Sequence, residues 1–314
     1  MRFNDIEKYI NARLDQFNAI IPQLEGVLSN TILKQLTKLQ LSSDGSVKRT
    51  AGNFKVMLAI QRQLNDALLD TTYKKSLADL FKSTGKISDL FDDFYKNSFD
   101  VSKPSTLTKA IREGSRSVIV DRMTTGLTSS LYETLQPILN NGVINGLEYN
   151  TLTDQIKQAV KGTSAEAGIV DKYAKQIATD TLNNYAGQYN TAMQAGLGFQ
   201  WYRYAGSNIA TTRDFCIACK MREYLHVSEF PKIIKGNFQE FKEIGGKIYN
   251  RYGLPQGVRE GTNSDNFLIY RGGYNCGHQL RPVYEWQVPK SKRNEIYATT
   301  AYKAWKKTVS GELI

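Results

Sequence analysis

Hydrophobic residues recur every three or four positions through the first two hundred residues, which predicts a largely helical N-terminal region. The first apolar face continues until Pro22 interrupts it and contains Phe3, Ile6, Ile10, Leu14, Phe17 and Ile21. Two further faces contain Phe54, Met57, Leu58, Leu64 and Leu68, and then Ile87, Leu90, Phe91 and Phe94. After Pro104, a fourth face is predicted from Leu107, Ile111, Val118 and Met123. We interpret these stripes as core packing, because apolar helix faces usually pack against the protein interior.

Two later helix starts carry capping signals. Thr151–Asp154 and Thr163–Glu166 each resemble a capping box, in which the threonine hydroxyl binds free amides of the first turn. The second signal predicts a long helix over about residues 165–196, roughly 45 Å in length. Its predicted stripe contains Ile169, Tyr173, Ile177, Thr181 and Tyr185.

The composition of the sequence changes after Gly198, where glycines become frequent. Short strands are predicted at residues 199–204, 269–270 and 280–284, and a basic amphipathic helix from about Ser291 to Lys307. We therefore predict a mainly α N-terminal region over residues 1–198. A small α+β module with a structural zinc site follows over residues 199–290, and a basic C-terminal helix over residues 291–314.

All three cysteines and one of the two histidines fall into two short-spaced pairs, Cys216 with Cys219 and Cys276 with His278. Three thiolates and one imidazole are a usual ligand set for tetrahedral zinc, and a closed set of four leaves no open position for catalysis. Because 56 residues separate the pairs, the metal would hold a whole module together. The alternative is three free thiols and a packed histidine, and His226 is a second candidate for the fourth ligand.

The net charge of +11 is concentrated near the C-terminus. Residues 201–314 contain 18 basic and 10 acidic side chains, which accounts for +8 of the total. Basic and aromatic residues interleave there, which favours a polyanionic partner such as nucleic acid. The alternative is a basic surface that is only solvated, because it would have the same composition. The candidate nucleic-acid-binding residues are Arg203, Arg251, Arg271, Lys292, Arg293, Lys303, Lys306 and Lys307.

The usual enzyme signatures do not occur in this sequence. A zinc deaminase requires a His-x-Glu motif, whereas Val227 and Ser228 follow His226. A phosphate-binding Gly-x-x-x-x-Gly-Lys-Ser/Thr loop is also missing. No stretch approaches 18 apolar residues, and the N-terminus has no secretory pattern. We therefore predict a non-enzymatic protein with no membrane partner and no small-molecule substrate. Because an odd number of cysteines grouped like metal ligands is poor material for a disulfide framework, we also predict a reducing compartment.

The order of several motifs matches a known family. In chain order they are the capped helix from Thr151, Ile177-Ala178-Thr179-Asp180, Trp201, Thr211-Thr212-Arg213-Asp214-Phe215-Cys216 and Asn275-Cys276-Gly277-His278-Gln279-Leu280-Arg281-Pro282-Val283. This order resembles the Mu F-like minor head (head morphogenesis) proteins of tailed bacteriophages, over about residues 150–284. Asp180 stands where the family often has Glu, and Gly277 where it often has Arg. Residues 1–149 carry no resemblance.

The resemblance implies a minor protein of the viral head, synthesised in the host cytoplasm and located in the head interior. Such a protein associates with the portal vertex or with packaged DNA and acts in capsid assembly or DNA passage. Its partners would be portal or capsid proteins and packaged double-stranded DNA. Two alternatives from other classes stay open: a non-specific DNA-binding protein without a virion role, and a zinc-dependent enzyme or toxin.

Overall fold

The computed structural model describes residues 3–69, 72–101, 110–111, 121–195, 197–246, 252–274 and 276–311. Over these residues the chain is mainly helical, with a three-stranded antiparallel sheet near the C-terminus. The predicted fold class is therefore confirmed. Leu107 and Val118 of the fourth predicted stripe lie outside the described residues, as does the side chain of Met123.

Long helices make up the N-terminal part of the chain. They are α1 (Phe3–Asn18), α2 (Ile21–Leu36), α3 (Ala51–Leu69), α4 (Thr72–Phe99), a π-helical turn (Arg122–Gly126), α5 (Leu127–Ile144), α6 (Tyr149–Lys161) and α7 (Ile169–Ala195). Shorter elements follow. They are β1 (Trp201–Ala205), α8 (Asp214–Arg222), β2 (Tyr224–His226), α9 (Phe230–Ile234), α10 (Gln239–Glu243), α11 (Phe267–Tyr270), β3 (Gln279–Val283), α12 (Lys290–Ala298) and α13 (Thr300–Gly311), with 3₁₀ turns at Val227–Glu229 and Glu285–Gln287.

The first predicted stripe is the buried face of α1 and of the start of α2. All six of its residues, from Phe3 to Ile21, are buried. Pro22 lies in the first turn of α2, where its missing N–H removes no intrahelical hydrogen bond. It therefore starts the second helix. The third stripe, in α4, is buried as predicted.

The stripe predicted in α3 is wrong at two positions. Phe54 is 36% exposed and Leu58 is 63% exposed, whereas the other three members are buried. Ile60 takes the place of Leu58 on the buried face. Successive helical residues differ by about 100° around the axis, so Leu58 points away from the face that its neighbour Met57 occupies.

The first predicted capping box is wrong, because Thr151 is not the capping residue. Helix α6 begins at Tyr149, and its N-cap is Glu148. The Glu148 carboxylate accepts hydrogen bonds from the backbone N–H groups of Asn150 and Thr151. A carboxylate at this position also interacts favourably with the helix dipole.

The long helix α7 begins later than predicted. The Thr163 hydroxyl accepts hydrogen bonds from the backbone N–H groups of residues 165 and 166, which is the threonine half of a capping box. The Thr163 N–H donates to the backbone carbonyl of Glu166 and not to its side chain. However, an isolated β-bridge joins Gly162 to Ala167 and holds the segment as a turn. The helix therefore covers Ile169–Ala195.

The buried face of α7 lies one residue later than the predicted stripe. Tyr173 is 37% exposed and Ile177 is only partly buried, whereas Thr181 and Tyr185 are buried as predicted. The other buried positions include Val170, Ala174, Ala178, Leu182 and Ala186. Because three of these residues are alanine, a search for large apolar side chains misses this face.

The three strands pair in the order β2-β1-β3, and both pairings are antiparallel. Trp201 in β1 lies opposite His226 in β2 and Val283 in β3. The strands predicted at residues 199–204 and 280–284 are confirmed. The strand predicted at residues 269–270 is wrong, since this segment belongs to the helical turn α11.

The predicted basic C-terminal helix consists of two helices. Thr299 has an extended backbone and separates α12 from α13. Its hydroxyl accepts a hydrogen bond from the backbone N–H of Tyr302 at 3.1 Å, which caps the start of α13.

The residues group into two compact units that do not follow chain order. One unit comprises residues 1–7, 87–111 and 182–314, and the other residues 8–86 and 112–181. The predicted domain bounds at residues 198 and 290 stay a prediction. The sheet and all four predicted metal ligands belong to the first unit. None of the described helices has a stretch of membrane-spanning length with the hydropathy that a bilayer requires.

Candidate metal centre

Cys216, Cys276 and His278 meet in the interior of the first unit, which contains the sheet. Their sulfur and ring-nitrogen atoms all lie within 4.8 Å of one another, and all three residues are buried. Cys216 lies in the first turn of α8, which packs against β1. Cys276 and His278 directly precede β3, which pairs with β1. The central strand thus brings the two ligand-bearing segments together, and the group can hold a metal ion.

The separations between these atoms fit a tetrahedral site. Cys216 Sγ lies 3.9 Å from Cys276 Sγ, which lies 3.7 Å from His278 Nδ1. Ligands bound to tetrahedral zinc at about 2.3 Å lie about 3.8 Å from one another. The three cysteines are free thiols, as the sulfur–sulfur separation of Cys216 and Cys276 requires.

Tyr204 of β1 forms one wall of the group. Its hydroxyl donates a hydrogen bond to Cys216 Sγ at 3.4 Å and lies 3.8 Å from Cys276 Sγ. Its ring stacks on His278 with 5.3 Å between the centroids. Burial raises the pKa of Tyr204 well above its ordinary value, so the phenol keeps its proton and stays a donor. Tyr204 was not among the predicted site residues, because its only signal was a place in an aromatic-rich strand.

Gly272 lies against both sulfur atoms. A Cβ at this position would lie 2.4 Å from Cys216 Sγ and 2.4 Å from Cys276 Sγ, far inside van der Waals contact. At Gly277, between the second pair of ligands, a Cβ would meet nothing within 4 Å. Glycine is therefore required at position 272 for steric reasons, which a glycine-rich sequence does not reveal.

Cys219 lies three residues after Cys216 in α8 and is not a member of the group. It is fully buried. Burial raises the pKa of Cys219 well above its ordinary value, and the charge of Cys276 raises it further. The thiol of Cys219 is therefore protonated in the metal-free protein. Its role as the fourth ligand stays a prediction.

Cys276 is the thiol that ionises most readily. Its hydrogen bond with Cys216 lowers the pKa of Cys276 well below the ordinary value, and the contact with His278 and the charge of Arg271 lower it further, against the effect of burial. Since the thiolate is the form that binds metal, the site is prepared for a cation.

Arg271 is buried beside the group and is 2% exposed. Its guanidinium donates hydrogen bonds to the backbone carbonyls of His278, Ile269, Leu268 and Asn183. The prediction that Arg271 contacts nucleic acid is therefore wrong, because its charged group is enclosed by protein. Arg271 instead links the segment that contains Cys276 and His278 to α7.

His226, the alternative fourth ligand, lies apart from the group. Its Nδ1 accepts a hydrogen bond from the Ser228 N–H at 3.2 Å and lies 2.8 Å from the Ser228 hydroxyl. Its ring packs against those of Trp201, Tyr302 and Trp305, with centroids 4.9, 5.2 and 4.7 Å away. His226 is a packed histidine that joins β2 to α13.

Acidification is expected to weaken the packing around His226. Burial lowers the pKa of His226 from 6.5 to about 4, so the unfolded chain binds this proton more readily than the folded one. The contribution of neutral His226 to the free energy of unfolding is complete above about pH 6.5. It is lost as the pH falls towards 4, and the loss reaches up to about 3 kcal/mol. Denaturant unfolding followed by tryptophan fluorescence would measure this loss. An equal acid-induced loss in His226→Gln would contradict the assignment to His226.

Three predicted nucleic-acid-binding residues lie exposed on α13. They are Lys303, Lys306 and Lys307, and their spacing places them on one face of the helix. The other cations lie in ion pairs: Arg203 with Glu223 at 2.6 Å, Lys292 with Glu295 at 3.1 Å and Arg293 with Glu285 at 3.6 Å. Arg251 lies outside the described residues. The lysines of α13 are therefore the stronger candidates for contact with phosphate.

Comparison with known proteins gives no relative: no protein-family model matches the chain, and no curated protein or solved structure matches it. The resemblance to the Mu F-like minor head proteins stays a prediction from the sequence motifs.

Proposed function

We propose that this chain is a structural, non-enzymatic minor head protein of a tailed bacteriophage. It associates with the portal vertex or with packaged DNA and acts in capsid assembly or DNA passage. The observation that supports this role is that two separate motifs of the resemblance supply the residues of one group that can hold a metal ion. Cys216 ends one motif of the resemblance, and Cys276 and His278 lie in another, and their ligand atoms fall within 4.8 Å.

We propose that the metal is zinc and that it is structural. Two thiolates and an imidazole form a donor set that suits zinc, whereas magnesium and calcium prefer oxygen ligands. In this proposal Cys219 supplies the fourth ligand, so the coordination sphere is closed and leaves no position for a reacting water. Metal analysis of the chain purified under reducing conditions should find one zinc per chain. A folded chain without zinc would contradict this assignment.

Contact with packaged DNA is supported by the exposed lysines of α13. Cations on one face of a helix neutralise phosphates and release counterions, so binding should weaken steeply as salt is added. The same surface supports the alternative of a DNA-binding protein without a virion role. The two functions differ in where the chain is found.

Mass spectrometry of the virus that encodes this chain distinguishes these functions. We expect the chain in DNA-filled particles, at a fixed ratio to the portal protein. Its retention in emptied shells would identify a fixed head component, and its loss on emptying would identify one that leaves with the DNA. Absence from both filled and emptied particles would contradict a role in the mature head.

A further inference from the structure

An open groove of about 730 Å³ lies next to the segment that leads into β1. Part of its lining is a row of residues on α13, namely Ala301, Trp305 and Val309, which lie on one face because they are four positions apart. Phe230 of α9 and Leu268 of α11 also line the groove. Its volume and its mainly apolar lining are typical of a binding site.

A row of aromatic rings leads from this groove to an exposed tryptophan. Phe199 lines the groove, and its ring lies 5.5 Å from that of Tyr284. The Tyr284 ring stacks on Trp286 with 6.0 Å between the centroids, and Trp286 is 73% exposed. Large aromatic side chains dominate interfaces because they bury much apolar area. An exposed tryptophan and an apolar groove are therefore close together on the surface of the first unit.

The groove has one charged side chain of each sign, Lys232 in α9 and Asp265 just before α11. Both residues are exposed, and neither forms an ion pair within the described part of the chain. A site for an acidic or a basic partner would have one sign in excess. A surface with one charge of each sign can instead match a copy of itself, because a two-fold axis can place each cation opposite the anion of the other copy.

We propose that the groove and Trp286 form the interface of a two-fold symmetric dimer of this chain. Trp286 of each copy enters the groove of the other, and Lys232 of each copy pairs with Asp265 of the other. Such an interface uses the same patch on both copies, so the patch must contain both the inserted group and the groove that receives it. The inference goes beyond the proposed function and does not depend on the metal, since no predicted metal ligand lines the groove.

Sedimentation velocity of the full chain over a range of micromolar concentrations tests the dimer. We expect Trp286→Ala to weaken dimerisation by at least about tenfold, because a tryptophan buried at an interface often dominates its affinity. Ile209→Ala is the control, since Ile209 is 69% exposed and does not line the groove, and it should leave dimerisation unchanged. A chain that stays monomeric throughout, or a dimer that Trp286→Ala does not weaken, would overturn the proposal.

Exchange of the two charges tests the two-fold arrangement. Lys232→Asp and Asp265→Lys each place like charges opposite one another and should weaken dimerisation, whereas the double variant restores opposite charges and should recover most of the lost affinity. An equal mixture of the two single variants should form mixed dimers, in which each contact again joins opposite charges. Losses that multiply in the double variant would show that Lys232 and Asp265 do not face each other.

The fluorescent dye anilinonaphthalene sulfonate distinguishes a second copy from another occupant of the groove. The dye has an apolar aromatic body and one negative charge, so it fits an open groove of this kind. In the dimer the groove is filled, and Trp286→Ala should therefore bind more dye than the wild type at the same concentration. A monomeric wild type that binds the dye, and binds it less tightly after Lys232→Asp, would assign the groove to an apolar anion and overturn the dimer.

Discussion

Gly272→Ala is expected to abolish metal binding and to unfold the C-terminal module. The new methyl group would lie 2.4 Å from the sulfurs of both Cys216 and Cys276. At least one sulfur must therefore move, which changes the separation that a tetrahedral metal ion requires. Overpacking and loss of the metal together should remove roughly 4 kcal/mol or more of stability. Zinc content and limited proteolysis of residues 199–290 would measure the two effects separately.

Gly277→Ala is the matched control for this variant. The same methyl group is added between Cys276 and His278, where it meets nothing within 4 Å. Zinc content and protease resistance should stay close to those of the wild type. If the two variants behaved alike, the steric requirement at Gly272 would be refuted.

Arg222→Met should be the most damaging change outside the metal site. Arg222 in α8 is 7% exposed and forms ion pairs with Glu229, with Glu240 at 3.0 Å and with Glu295 at 3.3 Å. Removing the cation leaves Glu229 buried without its partner, and breaking a buried pair in this way costs about 3–5 kcal/mol. Chemical denaturation near neutral pH would measure the loss.

The control for Arg222→Met is Arg203→Met, in the neighbouring strand β1. Arg203 also pairs with a glutamate, Glu223 at 2.6 Å, but its side chain is 52% exposed. Ion pairs in water contribute about 0–1 kcal/mol, so this variant should lose little stability. A loss in Arg203→Met as large as that in Arg222→Met would mean that burial does not decide the effect.

The sequence predicted helices well where large apolar residues form the buried face. The stripe of α1 is correct at every position, because leucine, isoleucine and phenylalanine are its members. The prediction of the buried face is wrong in α7, where Ala174, Ala178 and Ala186 are buried. Alanine is common on both buried and exposed helix faces, so its position along a sequence carries little information on burial.

The candidate site was predicted in part. Spacing alone identified Cys216, Cys276 and His278, because short-spaced pairs of soft ligands are rare by chance. The supporting residues Tyr204, Gly272 and Arg271 were not identified as parts of the site. Their roles depend on distances across the fold: a phenol near a sulfur, the absence of a Cβ, and a guanidinium enclosed by carbonyls. Those distances arise from the pairing of β1 with β3, the packing of α8 and, for Arg271, the carbonyls of α11 and α7.

The separation of Cys216 and Cys276 by 60 positions has a consequence for the unfolded chain. A metal ion that holds both residues closes a loop, and a crosslink of that length lowers the entropy of the unfolded state by an equivalent of about 4 kcal/mol. A disulfide would give a similar gain but requires an oxidising compartment. A metal link forms with reduced thiols, and the stability of the module then rises by about 1.4 kcal/mol for each tenfold increase in free metal above its dissociation constant.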